Sequence, residues 1–128
     1  MGIQTLDIII QALGHKLDSI ADLIAEIIIK KAGEINRFIR EDVDKAMKSF
    51  LLAISLEKSL VSLSKVALNH RNPNIRKMFA ENLNWLREKK FKLIDTNEKL
   101  KTKFVKYSTQ LSKDPNKETR FIIIILLY

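Results

Sequence analysis

Apolar residues recur in this chain at alternating steps of four and three, and that rhythm excludes most folds at once. From Leu6 the series runs through Ile10, Leu13, Leu17, Ile20, Ile24 and Ile27. This spacing puts side chains on one stripe of a helix and, when sustained, makes a coiled-coil seam. Ile9, Ala21 and Ile28 widen the stripe to a bundle-type face, while Asp18, Asp22 and Glu26 line the other side at four-residue steps, toward water or a basic neighbour. The pattern predicts a first helix over residues 4–31. Gly33 after Lys30 and Lys31 is its stop signal, although Ile35, Phe38, Ile39, Val43, Met47 and Phe50 carry the rhythm onward.

A second helix is expected over 35–69 and should be central, because from Phe50 to Leu68 it is apolar nearly all round, relieved mostly by Ser55, Ser59, Ser62 and Ser64. Such small residues let neighbouring helices approach closely, or bond back to their own backbone. The only two prolines follow Asn72 and Asp114, and a capping side chain followed by Pro marks a helix start. The third helix, over 73–112, repeats Phe79, Leu86, Leu93, Leu100 and Tyr107 every seven residues, accompanied by Leu83, Phe104 and Leu111. In that register Lys90 and Asn97 fall on the seam, where polar residues fix alignment or oligomeric state. After a polar turn, Phe121 to Tyr128 is an apolar tail that a native protein must bury. It reads as a short final helix over 115–127 in preference to a strand, since nothing else in the chain reads as a pairing strand.

The fold class expected is therefore all-α: one domain over residues 1–128, an elongated bundle of three long helices plus a short C-terminal apolar segment. At about 1.5 Å per residue the three rods would be roughly 40 to 60 Å long, so helices shared between chains, and hence a homo-oligomer or larger assembly, are expected. No internal repeat is visible.

The chemistry that residue types allow is narrow. With no cysteine, disulfides, thiolate metal sites and thiol nucleophiles are excluded, and a cytoplasmic address is the default expectation. The start, Met1-Gly2-Ile3-Gln4-Thr5, lacks the basic region of a signal peptide, and Leu6 stands where a myristoylation motif wants Ser or Thr. No stretch reaches the roughly 18 apolar residues of a membrane span. Of the two histidines, His15 lies one position off the first seam and reads as a boundary residue, and His70 ends the second helix, where a cation complements the exposed carbonyls. Glu41, Asp42 and Asp44 read as a solvated turn or a helix N-terminus, without a histidine at metal-ligand spacing. Three glycines build no phosphate loop. Neither catalytic nor metal-binding residues nor a cofactor is expected, and the chain reads as non-enzymatic.

Charge is distributed unevenly. Residues 1–70 hold nine basic and nine acidic side chains, whereas residues 71–128 hold fourteen and six, so the whole excess of +8 lies in the second half. On the third helix Lys92, Lys99, Lys106 and Lys113 recur every seven residues, flanked by Arg87, Lys89 and Lys103, with Arg71, Arg76 and Lys77 near its start. A ladder of ammonium groups on a rigid rod suits a phosphate backbone, and Trp85 and Phe91 beside it suit stacking on bases. The expected function is a helical scaffold or coat protein that binds DNA or RNA backbone through this face and self-associates through its seams. A protein interaction module without nucleic acid is the alternative, and peripheral attachment to a membrane is a second one.

Overall fold

The computed structural model describes the backbone of residues 2–33 and 37–127 and the side chains of residues 2–33 and 40–123. Along the chain run α1 (Ile3–Leu13), a 3-10 segment (Gly14–Ile20), α2 (Ala21–Ala32), α3 (Arg37–Ala53), α4 (Leu56–Ala67), α5 (Pro73–Lys89), α6 (Phe91–Thr96), α7 (Glu98–Leu111) and α8 (Lys117–Leu127). The all-α class holds, with no strand among the described residues. The three long rods do not, because each is broken where a local signal outweighs the apolar rhythm. Ile35, and the side chains of Phe38 and Ile39, lie outside the described residues, as do the tail side chains from Ile124 onward.

The first break follows from Gly14, whose φ of 50° lies in the left-handed region that L side chains avoid. Seven residues then wind as a 3-10 helix. At about 3.0 residues per turn instead of 3.6, they advance roughly 140° further than an α-helix would. The expected seam is thereby split: Leu6, Ile10, Leu17 and Ile24 are buried, whereas Leu13, Ile20 and Ile27 are 43%, 44% and 38% exposed. A Cβ at Gly14 would meet the Ala53 carbonyl oxygen at 3.4 Å, an ordinary contact, so the cost of a side chain there is conformational. Gly14→Ala should lower stability by about 1–2 kcal/mol. The urea midpoint reads this out, and an unchanged midpoint would show that this backbone conformation is dispensable.

The second rod breaks between Ala53 and Leu56, where the Ser55 amide donates to Asp18 Oδ1 at 3.2 Å instead of continuing the helical ladder. Ser59 and Ser64 bond back to the carbonyls of Leu56 and Val61, while Ser62 Oγ donates to Asp22 Oδ1 at 2.6 Å. The acidic face of the first expected helix is thus turned toward α4: Asp22 also receives Lys65 Nζ at 3.1 Å. The Ser62 bond first, and then Lys65, hold its carboxyl below the usual range.

The chain divides into two compact units, Met1–Ala67 and Leu68–Tyr128. In the first, four side-chain pairings fall at nearly the same sequence offset, between 37 and 40 positions. Gln4 bonds to Asp42 and Gln11 to Ser49, each 38 positions on; Asp18 meets Ser55 at 37 and Asp22 meets Ser62 at 40. A nearly constant offset means that α1 and α3 run parallel, side by side, and that the Asp18–Asp22 stretch pairs with α4 in the same sense. Their shared interior is filled by Ile10, Ala25, Ile28, Val43, Ala46, Met47, Phe50, Leu60 and Leu63, all inaccessible to solvent. This is the packing of a helical repeat, in which each bent helix pair buries its apolar face on the next. The sequence alone shows no such repeat.

The second unit carries a similar offset. Arg76 on α5 pairs with Asp114, 38 positions on, just before α8, and Lys77 pairs with Glu118 in its first turn. Ile75, Phe79, Leu83 and Leu86 of α5 and Leu100, Phe104, Tyr107 and Leu111 of α7 are buried. The third rod breaks twice, at the two polar residues of its supposed seam. Lys90 ends α5, and Asn97 caps α7 by accepting from the Leu100 amide at 3.1 Å. Leu93, also on that seam, is 46% exposed on the short α6.

Candidate partner-binding surface

The second unit holds the positive excess, and its loops and α7 determine where that charge is displayed. Asn72 caps α5, accepting from the Asn74 amide at 2.9 Å, with Pro73 at the first helical position as expected. At the other expected start the helix begins later. Asp114 Oδ1 accepts from the Asn116 amide at 2.8 Å, and Asn116 in turn caps α8 by accepting from the Thr119 amide at 3.0 Å.

Two arginines tie these loops down. Arg76 Nε donates to Asp114 Oδ2 at 2.7 Å, and its Nη1 donates to the His70 carbonyl at 2.6 Å. Arg120 Nη1 donates to the carbonyls of Asp114 and Pro115, at 2.7 and 3.0 Å. Burial alone would push the Asp114 carboxyl up, but the Arg76 bond and the Asn116 amide outweigh it and hold it low. Glu118 raises the Lys77 ammonium and is itself lowered by it. His70 is tied down as well, its Nδ1 accepting from the Asn72 amide at 3.0 Å.

Between these loops and α7 lies an open groove of about 650 Å³, lined by His70, Lys106, Thr109, Gln110 and Lys113 among others. Gln110 bonds across to Asn69. Along α7, Lys99, Lys103, Lys106 and Gln110 fall at steps of four, three and four, on a face away from the buried Leu100, Phe104, Tyr107 and Leu111. A cationic strip therefore runs into the groove. Among the described residues Lys99, Lys106 and Lys113 are exposed and make no ion pair, while Lys103 is half-buried.

The other expected site residues are scattered. Arg76 and Lys77 are engaged by Asp114 and Glu118, so their charge is largely neutralised within the unit. Arg71 is exposed in the loop before α5, and Lys89 is exposed in the last turn of that helix. Arg87 and Trp85 are half-buried on α5. Lys92 is exposed on α6, separated by the Asn97 break from the three lysines with which it was to form a ladder. Groove residues such as Asn69, Thr109 and Gln110 had no signal in the sequence, since only the fold brings residues some forty positions apart together. No group of acidic, histidine or cysteine side chains suited to a metal occurs among the described residues. Such a surface can dock an acidic partner.

The family model described as CLASP N terminal matches residues 1–121. The chain belongs to this family. Among curated relatives, the TOG array regulator of axonemal microtubules protein 1 of Mus musculus is 34% identical over 71 residues, 56% of this chain and 4% of that protein. The Homo sapiens protein of the same name is 39% identical over 51 residues, 40% of this chain and 3% of its own length. The chain thus spans only a few per cent of these relatives. No solved structure matches it.

Membership of the CLASP N-terminal family overturns the expected function. Neither a coat that binds DNA or RNA backbone nor a self-associating oligomeric module is supported, and the relatives are named for microtubules. The basic residues do not form a phosphate ladder, because their seven-residue rhythm crosses the breaks between α5, α6 and α7. The relatives are named as regulators and not for a reaction, which agrees with the non-enzymatic reading. Among the described residues no helix of this family member is long and apolar enough to cross a membrane.

Proposed function

We propose that this chain is a microtubule-binding helical-repeat module whose second unit meets its partner through the exposed cations Lys99, Lys106 and Lys113. The observation that carries the reading is the family match over residues 1–121, to which the relatives' names add the microtubule. The rigid parallel stacking within each unit supports it, since helical repeats offer extended surfaces for docking and seldom closed pockets. The charge supports it too. A strip of unpaired ammonium groups calls for acidic groups opposite, and complementary charge sets encounter rate and specificity. Arg71, Lys89 and Lys92 belong to the same exposed excess and strengthen long-range attraction; the cytoskeleton is then the chain's address.

Co-sedimentation of the full chain with assembled microtubules tests this. Pelleting is expected at low salt and should fall steeply as ionic strength rises, because exposed charges are screened over about 10 Å at 0.1 M. Lys99→Glu, Lys106→Glu and Lys113→Glu together should weaken binding by about tenfold or more, since like charges brought opposite each other are strongly repelled, with circular dichroism unchanged. Absence of pelleting at low salt would defeat the microtubule reading. Pelleting indifferent to the three reversals would defeat the assignment to this face.

A further inference from the structure

The groove between α7 and the loops on either side of it offers more than charge. Lys106 and Lys113 line it, exposed and without an ion pair among the described residues. The carboxylate among the described lining residues, Asp114, is already engaged. Its Oδ2 accepts from Arg76 Nε at 2.7 Å and its Oδ1 from the Asn116 amide at 2.8 Å. The groove thus presents free cations and, among the described residues, no free anion to answer them.

Asn69 and Gln110 add a second requirement. Both are exposed, and Gln110 Nε2 donates to Asn69 Oδ1. The bond leaves Asn69 Nδ2 to donate and Gln110 Oε1 to accept, side by side. A neighbouring donor and acceptor are the complement of a peptide backbone, which carries one N–H and one C=O per residue. A polyphosphate, built almost wholly of acceptors, satisfies only half of such a pair. Gln110 comes four residues after Lys106 and three before Lys113, so the amide pair stands between the two cations.

Spacing fixes the rest. The winding of α7 continues past Leu111, since the Lys113 amide donates to the Gln110 carbonyl at 3.2 Å. Lys106 and Lys113 therefore lie about 10 Å apart along the axis, at ~1.5 Å per residue. An extended chain of the polyproline type returns every third residue to the same face, about 9 Å further on. We propose that the groove docks an extended acidic segment of a protein partner, with two carboxylate side chains three positions apart. The carboxylates pair with Lys106 and Lys113, and the backbone between them bonds to Asn69 and Gln110. This rests on α7 being the partner-binding face and names what the partner inserts there.

The test is titration of the full chain, followed by two-dimensional NMR, with the capped peptide Gly-Glu-Pro-Ala-Glu-Gly and its rearrangement Gly-Pro-Glu-Glu-Ala-Gly. The two have equal charge and composition and differ in the spacing of their glutamates. Saturable shifts are expected at Asn69, Lys106, Gln110 and Lys113. The first peptide should bind about threefold more tightly, the worth of one well-placed exposed ion pair. Lys106→Gln or Lys113→Gln should remove that preference. Asn69→Ala with Gln110→Ala should weaken the first peptide about fivefold, as loss of hydrogen bonds does, and leave binding of tripolyphosphate unchanged. All four side chains are exposed, so the variants should keep the parent circular dichroism. Equal affinity of the two peptides, shifts centred elsewhere, or tripolyphosphate binding that falls together with that of the peptide would each overturn the proposal. Microtubule pelleting without peptide binding would overturn this occupant alone. Spacing-dependent peptide binding without pelleting would uphold it and remove the microtubule as the partner.

Discussion

Asp114→Ala should destabilise the second unit by about 3 kcal/mol, as loss of one member of a buried ion pair usually does. The Asp114 side chain is 5% exposed and that of Arg76 16%, so neither charge can return to water without moving the loops. Truncation would leave the Arg76 guanidinium bonded to the His70 carbonyl but without its counter-charge, and would also remove the acceptor of the Asn116 amide, loosening the turn that starts α8. Asp114→Asn separates the two effects. It keeps an oxygen for the Asn116 amide, loses only the charge, and should cost about half as much. The same pair predicts acid lability. The carboxyl is held below its ordinary value of 3.8, so its contribution is complete above that pH and is lost as the pH falls through the lower folded value. Stability of the parent should therefore drop below pH 4 more steeply than that of Asp114→Asn. Urea melts at pH 7, 4 and 2.5 measure both effects. Parallel pH profiles for the two proteins would show that the pair contributes nothing.

Most of what could be read from the sequence was local. Asn72-Pro73 opens a helix as its capping chemistry dictates, and the final apolar stretch is helical because it has no strand to pair with. Gly14, Ser55, Lys90 and Asn97 were visible too, but the apolar series runs across all four and points to continuity. Two of them show why periodicity misled. Asn97 on a supposed seam reads as a register-setting polar residue, whereas the energetically simpler use of an asparagine is to cap the following turn, as it does for Leu100. Gly14 within an apolar rhythm reads as a tolerated glycine until its positive φ is seen. The repeat was hidden for a different reason: what recurs at an offset of 38 is a set of side-chain meetings, Gln4 with Asp42 or Arg76 with Asp114, between unlike residues. Self-similarity in letters is not required for self-similarity in packing. The basic face was legible as composition and its partner was not, since lysines on a wet helix face look the same whichever acidic surface they meet.

Phe79→Ala should cost about 3–5 kcal/mol, the largest effect of any single truncation considered, because it removes a full aromatic side chain from a layer that cannot close over the gap. Phe79 is 1% exposed, and its ring lies 6.1 Å from that of Tyr107 at 54°, the tilted arrangement in which the edge of one ring meets the face of another. Ile75, Leu83 and Leu86 on the same helix are equally buried, so the cavity would be walled by residues already in contact with partners of their own. A helical repeat sharpens the penalty. Each helix is stabilised only by its nearest neighbours, with no deeper core to absorb the loss. Trp85, the single tryptophan, sits half-buried six residues further along α5 and reports the unfolding of this unit by fluorescence. Phe79→Leu should recover most of the stability, since it retains most of the volume and loses mainly the ring contact. An alanine variant within about 1 kcal/mol of the parent would mean that α5 and α7 do not meet through this pair, and the interior that positions the cationic face of α7 would have to be placed elsewhere.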